Sequence, residues 1–258
     1  MFATVSMKGS VLEKFKAIKD AGFDGIELMS HMDVNEVLAA RDETGLEIPS
    51  VCCGTHWKEN LASPNPAERE RGLEGLKHSL RDAKKYGATS VLFVPATVNK
   101  EVSYDAAYER SQEGIRRAIP LAKELGVKIA IENVWNNFLL SPMEAARYVD
   151  EFKSPFVGWH LDIGNILRYG WPEQWIPVLG QRILKLHIKE YSREKMQSAG
   201  LWKGFDVKLL EGDNNWPAIM KSLDEINYRG WAIAEQPGGN SLEGLKDLSN
   251  RKDKLLAA

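Results

Sequence analysis

The sequence predicts an α/β protein whose eight parallel strands close into a (β/α)8, or TIM, barrel, and three observations carry that expectation. The chain has 258 residues, close to the roughly 250 of such a barrel, and at that length about three quarters of the unfolded surface can be buried in one domain, 1–258. Short β-rich runs alternate with longer amphipathic segments from end to end, the pattern that gives a parallel sheet with covering helices. Three junctions, Ala21-Gly22-Phe23-Asp24-Gly25, Tyr86-Gly87-Ala88 and Leu125-Gly126-Val127, each read as helix, glycine stop, strand.

Taken in order, strands are expected at Phe2 to Val5, Gly25 to Leu28, Ile48 to Cys53, Ser90 to Pro95, Lys128 to Glu132, Val157 to Asp162, Ile183 to Ile188 and Trp231 to Glu235. Helical periodicity is clearest over Leu12 to Ala21, Glu68 to Tyr86, Tyr104 to Leu125 and Trp216 to Ile226, and a last helix, Leu242 to Leu256, covers the final strand. Closure removes the edges that an open sheet must protect. A doubly wound open sheet is the alternative. No Gly-x-Gly-x-x-Gly follows the first expected strand and no Gly-rich Lys-Ser/Thr loop occurs, so nucleotide binding has no support. The stretch from Tyr191 to about Asn215 reads as a long irregular loop, which in a compact domain usually serves function.

A hydrophobic fraction of 43%, a charged fraction of 27% and a net charge of −2 leave no electrostatic footprint for nucleic acid or an anionic membrane. A small molecule is the expected partner. Cys52 and Cys53 are adjacent in an apolar run, so inert core thiols are expected rather than a disulfide. No apolar stretch reaches 18 residues and no basic leader opens the chain, which favours a soluble, cytoplasmic protein. An exported form whose signal was removed stays open, as does a homo-oligomer, dimer or tetramer.

Four metal-competent residues end the last four expected strands: Glu132, Asp162, His187 and Glu235. In a barrel those ends form the catalytic face. Each alone has a bland reading, as a helix cap or a satisfied core histidine. Together, at the tips of consecutive apolar runs, they would cost several kcal/mol each without a compensating cation. Three carboxylates and one imidazole make a mostly hard oxygen shell suited to one divalent ion, Mn²⁺ first, with Mg²⁺, Co²⁺ or Zn²⁺ as alternatives.

At this point a resemblance becomes specific. Ile131-Glu132-Asn133, Leu161-Asp162-Ile163-Gly164-Asn165, Leu186-His187-Ile188-Lys189-Glu190 and Ala234-Glu235-Gln236-Pro237-Gly238 resemble the motifs of the xylose-isomerase-like TIM-barrel superfamily. Within it, the chain is similar to ketose 3-epimerases and L-xylulose-5-phosphate 3-epimerase-like sugar phosphate isomerases/epimerases. The resemblance implies that the four residues bind the metal, that Glu132 and Glu235 also move protons, and that Arg193 touches substrate oxygens. Two positions depart from the ketose 3-epimerase pattern: Asn165 stands where a histidine is usual, and Phe138 where a glutamate is usual.

The implied activity is a metal-dependent isomerisation or epimerisation of a hydroxy-ketone, sugar or sugar phosphate, through an enediolate. The rival is a keto-sugar or keto-inositol lyase or dehydratase on the same metal site. An apurinic-site endonuclease would need three zinc ions and more than the five histidines present, with a basic DNA face. A sugar-binding barrel with a vestigial metal is the non-enzymatic alternative.

Further candidates for substrate contact are His56, Asn165, Glu27 and His160, the last two also able to support the metal ligands. Trp135, Trp202 and Phe205 are candidate pocket aromatics, with core packing the commoner use. Arg193, Lys189, Lys203 and Lys58 are candidates for a phosphate only by rough position. His31 and His78 read as surface residues.

Overall fold

In a computed structural model of the chain, which describes residues 7–256, seven parallel strands follow one another in the order β1 to β7. They are β1 (Leu28–Met29), β2 (Ser50–Cys52), β3 (Ser90–Phe93), β4 (Lys128–Glu132), β5 (Val157–Asp162), β6 (Ile183–Ile188) and β7 (Ala232–Ala234). The sheet curls and helices cover its outer face, giving the TIM-barrel fold. The expected strand Phe2 to Val5 lies outside the described residues. The other seven expected strands all appear, most of them trimmed. Gly25 is reduced to an isolated bridge with Glu47, so Glu27 precedes β1 instead of ending a strand.

Burial on both faces explains why the central strands read as continuous apolar runs. Ile129, Ala130 and Ile131 of β4, and Trp159 and Leu161 of β5, are all fully buried, one set facing the barrel interior and the next facing helices. Register then places Asp162 beside His187, and Glu132 beside His160.

The helices start and stop where their caps dictate. Ser10 and Glu13 form a reciprocal capping box on Val11–Asp20. Asn65 followed by Pro66 opens Pro66–Tyr86. Gly87 and Gly126 end Pro66–Tyr86 and Tyr104–Leu125 with φ of 88° and 69°, left-handed geometry that a Cβ would strain. No helix among the described residues is long and apolar enough to cross a membrane.

One expectation is corrected. The stretch from Tyr191 to Asn215 is not irregular: Ser192 caps a helix, Arg193–Ala199, by accepting from Lys195 N, and a 3-10 turn, Leu201–Phe205, follows. Gly200, at φ 109°, separates the two. Phe138, on the departing position, is buried against Tyr104, Tyr108 and Tyr148, so an apolar ring completes the core there.

Candidate metal centre and pocket

The tips of β4, β5 and β6 and the residue after β7 bring Glu132, Asp162, His187 and Glu235 together, with one ligand atom from each lying within 4.8 Å of the others. His187 is central. Its Nδ1 stands 3.0 Å from Glu235 Oε2, 3.3 Å from Glu132 Oε1 and 3.8 Å from Asp162 Oδ2. Glu235 is held at this level because its N–H donates to Ile188 O, which continues the ladder past β7.

Behind the cluster, His187 Nε2 and Glu27 Oε2 are 2.7 Å apart. With Nε2–H donated to that carboxylate, the Nδ1 lone pair is directed at the three acids, the arrangement by which a carboxylate fixes a metal-binding imidazole. Glu27 is fully buried. Starting one layer below the strand tips, it reaches the far nitrogen of His187 and stays outside the pocket. His160, two residues before Asp162 on the same face of β5, packs its ring 4.2 Å from that of His187 and is likewise absent from the pocket wall. Burial holds its pKa well below the usual histidine value, with His187 adding to the effect, so it packs as a neutral ring.

Asp162 is fixed by its neighbours. It caps the short helix Ile163–Ile166, its Oδ1 accepting from Asn165 N at 2.8 Å, which leaves Oδ2 to face the cluster. Asn133 braces the same turn: its Oδ1 accepts from Asp162 N and Trp159 Nε1, and its Nδ2 donates to Asp162 O. Asn165 in turn donates to Asn133 O.

Lys189 also enters the cluster, its Nζ donating to Glu235 Oε2 at 2.9 Å and to Asp162 Oδ2 at 3.3 Å. Sequence reading placed it only as a rough phosphate candidate. The missed signal was its spacing, since residues i and i+2 of a strand share a face and His187 already pointed inward. Electrostatics follow from these contacts. Burial raises the pKa of Asp162 to about 7 and raises that of Glu132. Burial opposes ionisation of Glu235 too, but Lys189 and His187 overcome it and hold this carboxyl well below the usual range. Burial likewise opposes charge on His187, yet Glu27, Glu235 and Glu132 together push its pKa well up.

The donor set fits a divalent cation. Three acids converge with one ammonium among them, and an imidazole locked by Glu27 turns Nδ1 towards them, a ligand once a cation displaces its proton, so excess negative charge is gathered where oxygen and nitrogen ligands are oriented.

A pocket of about 470 Å³ opens over the cluster, lined by Glu132, His187, Lys189 and Glu235 at one end, with Cys52, Cys53, Leu92 and Val134 in its wall. Both cysteines are buried free thiols, and burial beside Glu27 and Glu132 pushes the Cys52 thiol up. Asn165 and His56 also line it. His56 Nδ1 accepts from Val94 N at 3.1 Å, which assigns the proton to Nε2, and burial lowers its pKa to about 4. Trp135, Trp202 and Phe205 line the pocket as well and pack on one another, Trp135 at 4.8 and 4.9 Å from the other two rings.

Arg193 does not join this lining. Its guanidinium donates to Leu167 O and Gly170 O and lies over Trp171. Sequence reading also missed Glu190. Fully buried, it accepts from the N–H groups of Leu210 and Asn214 and from Trp216 Nε1 at 2.8 to 3.2 Å, tying the segment after β6 to the barrel. His31 and His78 are exposed, stacked on each other and joined to the buried Asp82.

Comparison with known proteins follows the same lines. The sequence signature of the family described as "Xylose isomerase-like TIM barrel" matches residues 15–254. SgbU of Escherichia coli (strain K12), named provisionally as an L-ribulose-5-phosphate 3-epimerase, is 28% identical over 237 residues, 86% of this chain and 82% of that protein. L-ribulose-5-phosphate 3-epimerase UlaE of Escherichia coli O1:K1 / APEC is 22% identical over 256 residues, 94% of this chain and 87% of its own. Among solved structures, 3-keto-D-glucoside 4-epimerase YcjR from E. coli superposes with a TM-score of 0.82 at 18% identity, covering 100% of this chain and 98% of that one.

Proposed function

The chain belongs to the xylose isomerase-like TIM barrel family, and from that premise we propose that it is a sugar isomerase or epimerase that uses a divalent ion, Mn²⁺ first, to act on a hydroxy-ketone, free or phosphorylated. One observation carries the reading: Glu132, Asp162, His187 and Glu235 form one cluster, and three of them, Glu132, His187 and Glu235, line a pocket large enough for a sugar. The relatives' names, which are those of ketose-phosphate epimerases, support it.

Those four residues would hold the ion, with Glu27 orienting His187. When bound, the ion would supply a Lewis acid that withdraws charge from the substrate carbonyl as the neighbouring C–H bond breaks. Glu132 and Glu235 do the proton work. Lys189 keeps Glu235 anionic, the state required to take a carbon-bound proton. Glu132, which also lines the pocket, is the partner carboxyl that returns a proton; two positioned carboxyl groups are what such acid/base work requires. Removal from one face and return to the other inverts the carbon through an enediolate. Asn165 and His56 contribute neutral polar groups to the pocket wall, and Arg193, Glu27 and His160 act by positioning rather than by touching substrate.

The test is turnover of ketoses by the Mn²⁺-loaded protein in deuterated water. Solvent deuterium is expected in an isomer of otherwise equal mass, and Glu132→Gln and Glu235→Gln are each expected to lower the rate by roughly 10²–10⁴-fold with the ion still bound. Loss of water or of a fragment from the product would instead establish the lyase or dehydratase. Near-full activity in both variants would overturn the proton-transfer assignment.

A further inference from the structure

Resting on that reading, we propose that the substrate is an uncharged keto-sugar held in a glycosidic bond, with its second group lying against Trp57 and Trp202 at the pocket mouth, and not a sugar phosphate.

Charge argues first. A phosphate entering beside three acids needs cations with donors to spare. Among the described residues, Lys189 is the one lysine or arginine in the lining, and its ammonium is already shared between Asp162 and Glu235. Of the nearby cations, Arg193 is held by two backbone carbonyls, Lys203 pairs with Asp206, Arg168 lies over the face of Trp135, and Lys58 is exposed beside Trp57; none of the four is in the lining. The residues beyond the described ones, Met1 to Ser6 with Ala257 and Ala258, contain no lysine or arginine, so no side chain from them supplies the missing charge.

The polar wall is of the kind that reads hydroxyl groups. His56 has Nδ1 occupied by Val94 N–H and offers Nε2–H as an uncharged donor, and Asn165 is neutral by nature. Neutral donors of fixed orientation suit sugar oxygens, whereas an anion would draw little from them.

The mouth shows what lies beyond the reacting ring. Trp57 and Trp202 both line the pocket, yet they remain 56% and 68% exposed. Large aromatics left open to water beside a site are the informative exception to burial, and the electron-rich face of an indole packs against the polarised C–H groups of a pyranose. A volume of about 470 Å³ falls within the roughly 300–1,000 Å³ of pockets that enclose drug-sized ligands, which leaves room for more than a lone ketose.

The experiment follows deuterium uptake from solvent by the Mn²⁺-loaded full chain with three probes: a disaccharide oxidised to the ketone at one ring carbon, D-fructose, and D-ribulose 5-phosphate. The keto-disaccharide is expected to give the highest kcat/KM, and Trp57→Ala and Trp202→Ala are each expected to cut its preference over fructose about tenfold, with unchanged thermal midpoints as the check on folding. Best turnover of the phosphate would overturn this proposal and leave the proposed function standing. So would variants that keep the preference but shift the elution of the protein to a smaller species, which would make the tryptophans a contact between copies of the chain. Uptake with none of the probes would overturn the proposed function and this inference together.

Discussion

Glu27 and His187, 160 residues apart in sequence, meet at 2.7 Å inside the barrel, and the contact decides which imidazole nitrogen is left for the cluster. Glu27→Gln keeps the shape and removes the charge. Mn²⁺ affinity is expected to fall by about 10–100-fold, the usual cost of losing such a supporting carboxylate, while the fold is retained. Calorimetric titration measures it; an unaltered Kd would show that the orientation of His187 does not depend on Glu27.

Lys189 and a bound cation compete for the same oxygens, Asp162 Oδ2 and Glu235 Oε2. Lys189→Met removes the internal cation and leaves the acids less compensated. Binding of Mn²⁺ is therefore expected to tighten, by about tenfold, even as turnover falls. Weaker binding in the same titration would mean that the ammonium helps build the site.

The pH dependence of stability carries the mark of His56. Its pKa of about 4 in the fold compares with about 6.5 in the unfolded chain. Between these values the unfolded chain binds the extra proton, so this group makes stability rise with pH through the window and fall on acidification from about 6.5 towards 4. His56→Gln is expected to flatten the loss between pH 7 and pH 5 by about 2 kcal/mol. Denaturant midpoints at the two pH values give the answer, and parallel curves for both proteins would remove His56 from the account.

Glu190 holds the segment after β6 by accepting from two backbone N–H groups and one indole. Glu190→Ala strands these buried donors, at a cost of at least about 3 kcal/mol. Proteolysis between residues 206 and 215 is expected well below the global midpoint, with loss of the Trp216 contact seen in fluorescence. If cleavage there still required global unfolding, the carboxylate would not be the tether.

The sequence carried the barrel because burial on both sides imposes it: runs such as Ile129-Ala130-Ile131 and Leu184-Lys185-Leu186 can hardly be anything but strands, and Tyr104–Leu125 was bounded correctly by its periodicity and Gly126. Pairing of Asp162 with His187 across β5 and β6 was legible as far as the tips of neighbouring strands must converge. What sequence did not carry was depth. Glu27 and Glu132 both look like polar residues at strand ends, and only the stagger of the barrel separates the one that faces the pocket from the one that lies beneath it. Arg193 failed for a related reason: a spacing of six from His187 sets where its Cα lies, whereas the carbonyls of Leu167 and Gly170 set where its guanidinium goes. The helix Arg193–Ala199 was hidden by its shortness and by the glycines around it.

Asp162 divides its two oxygens between tasks, one fastened to the start of a helix and the other turned towards the centre of the site. Architecture and chemistry thus draw on a single carboxylate. An amide put in its place could satisfy the backbone or the cluster but not both, and a glutamate would carry the charge past the turn that needs it. The position has no room for gradual adjustment, so new specificity in this scaffold has to arise at the rim, where side chains bear no share of the frame.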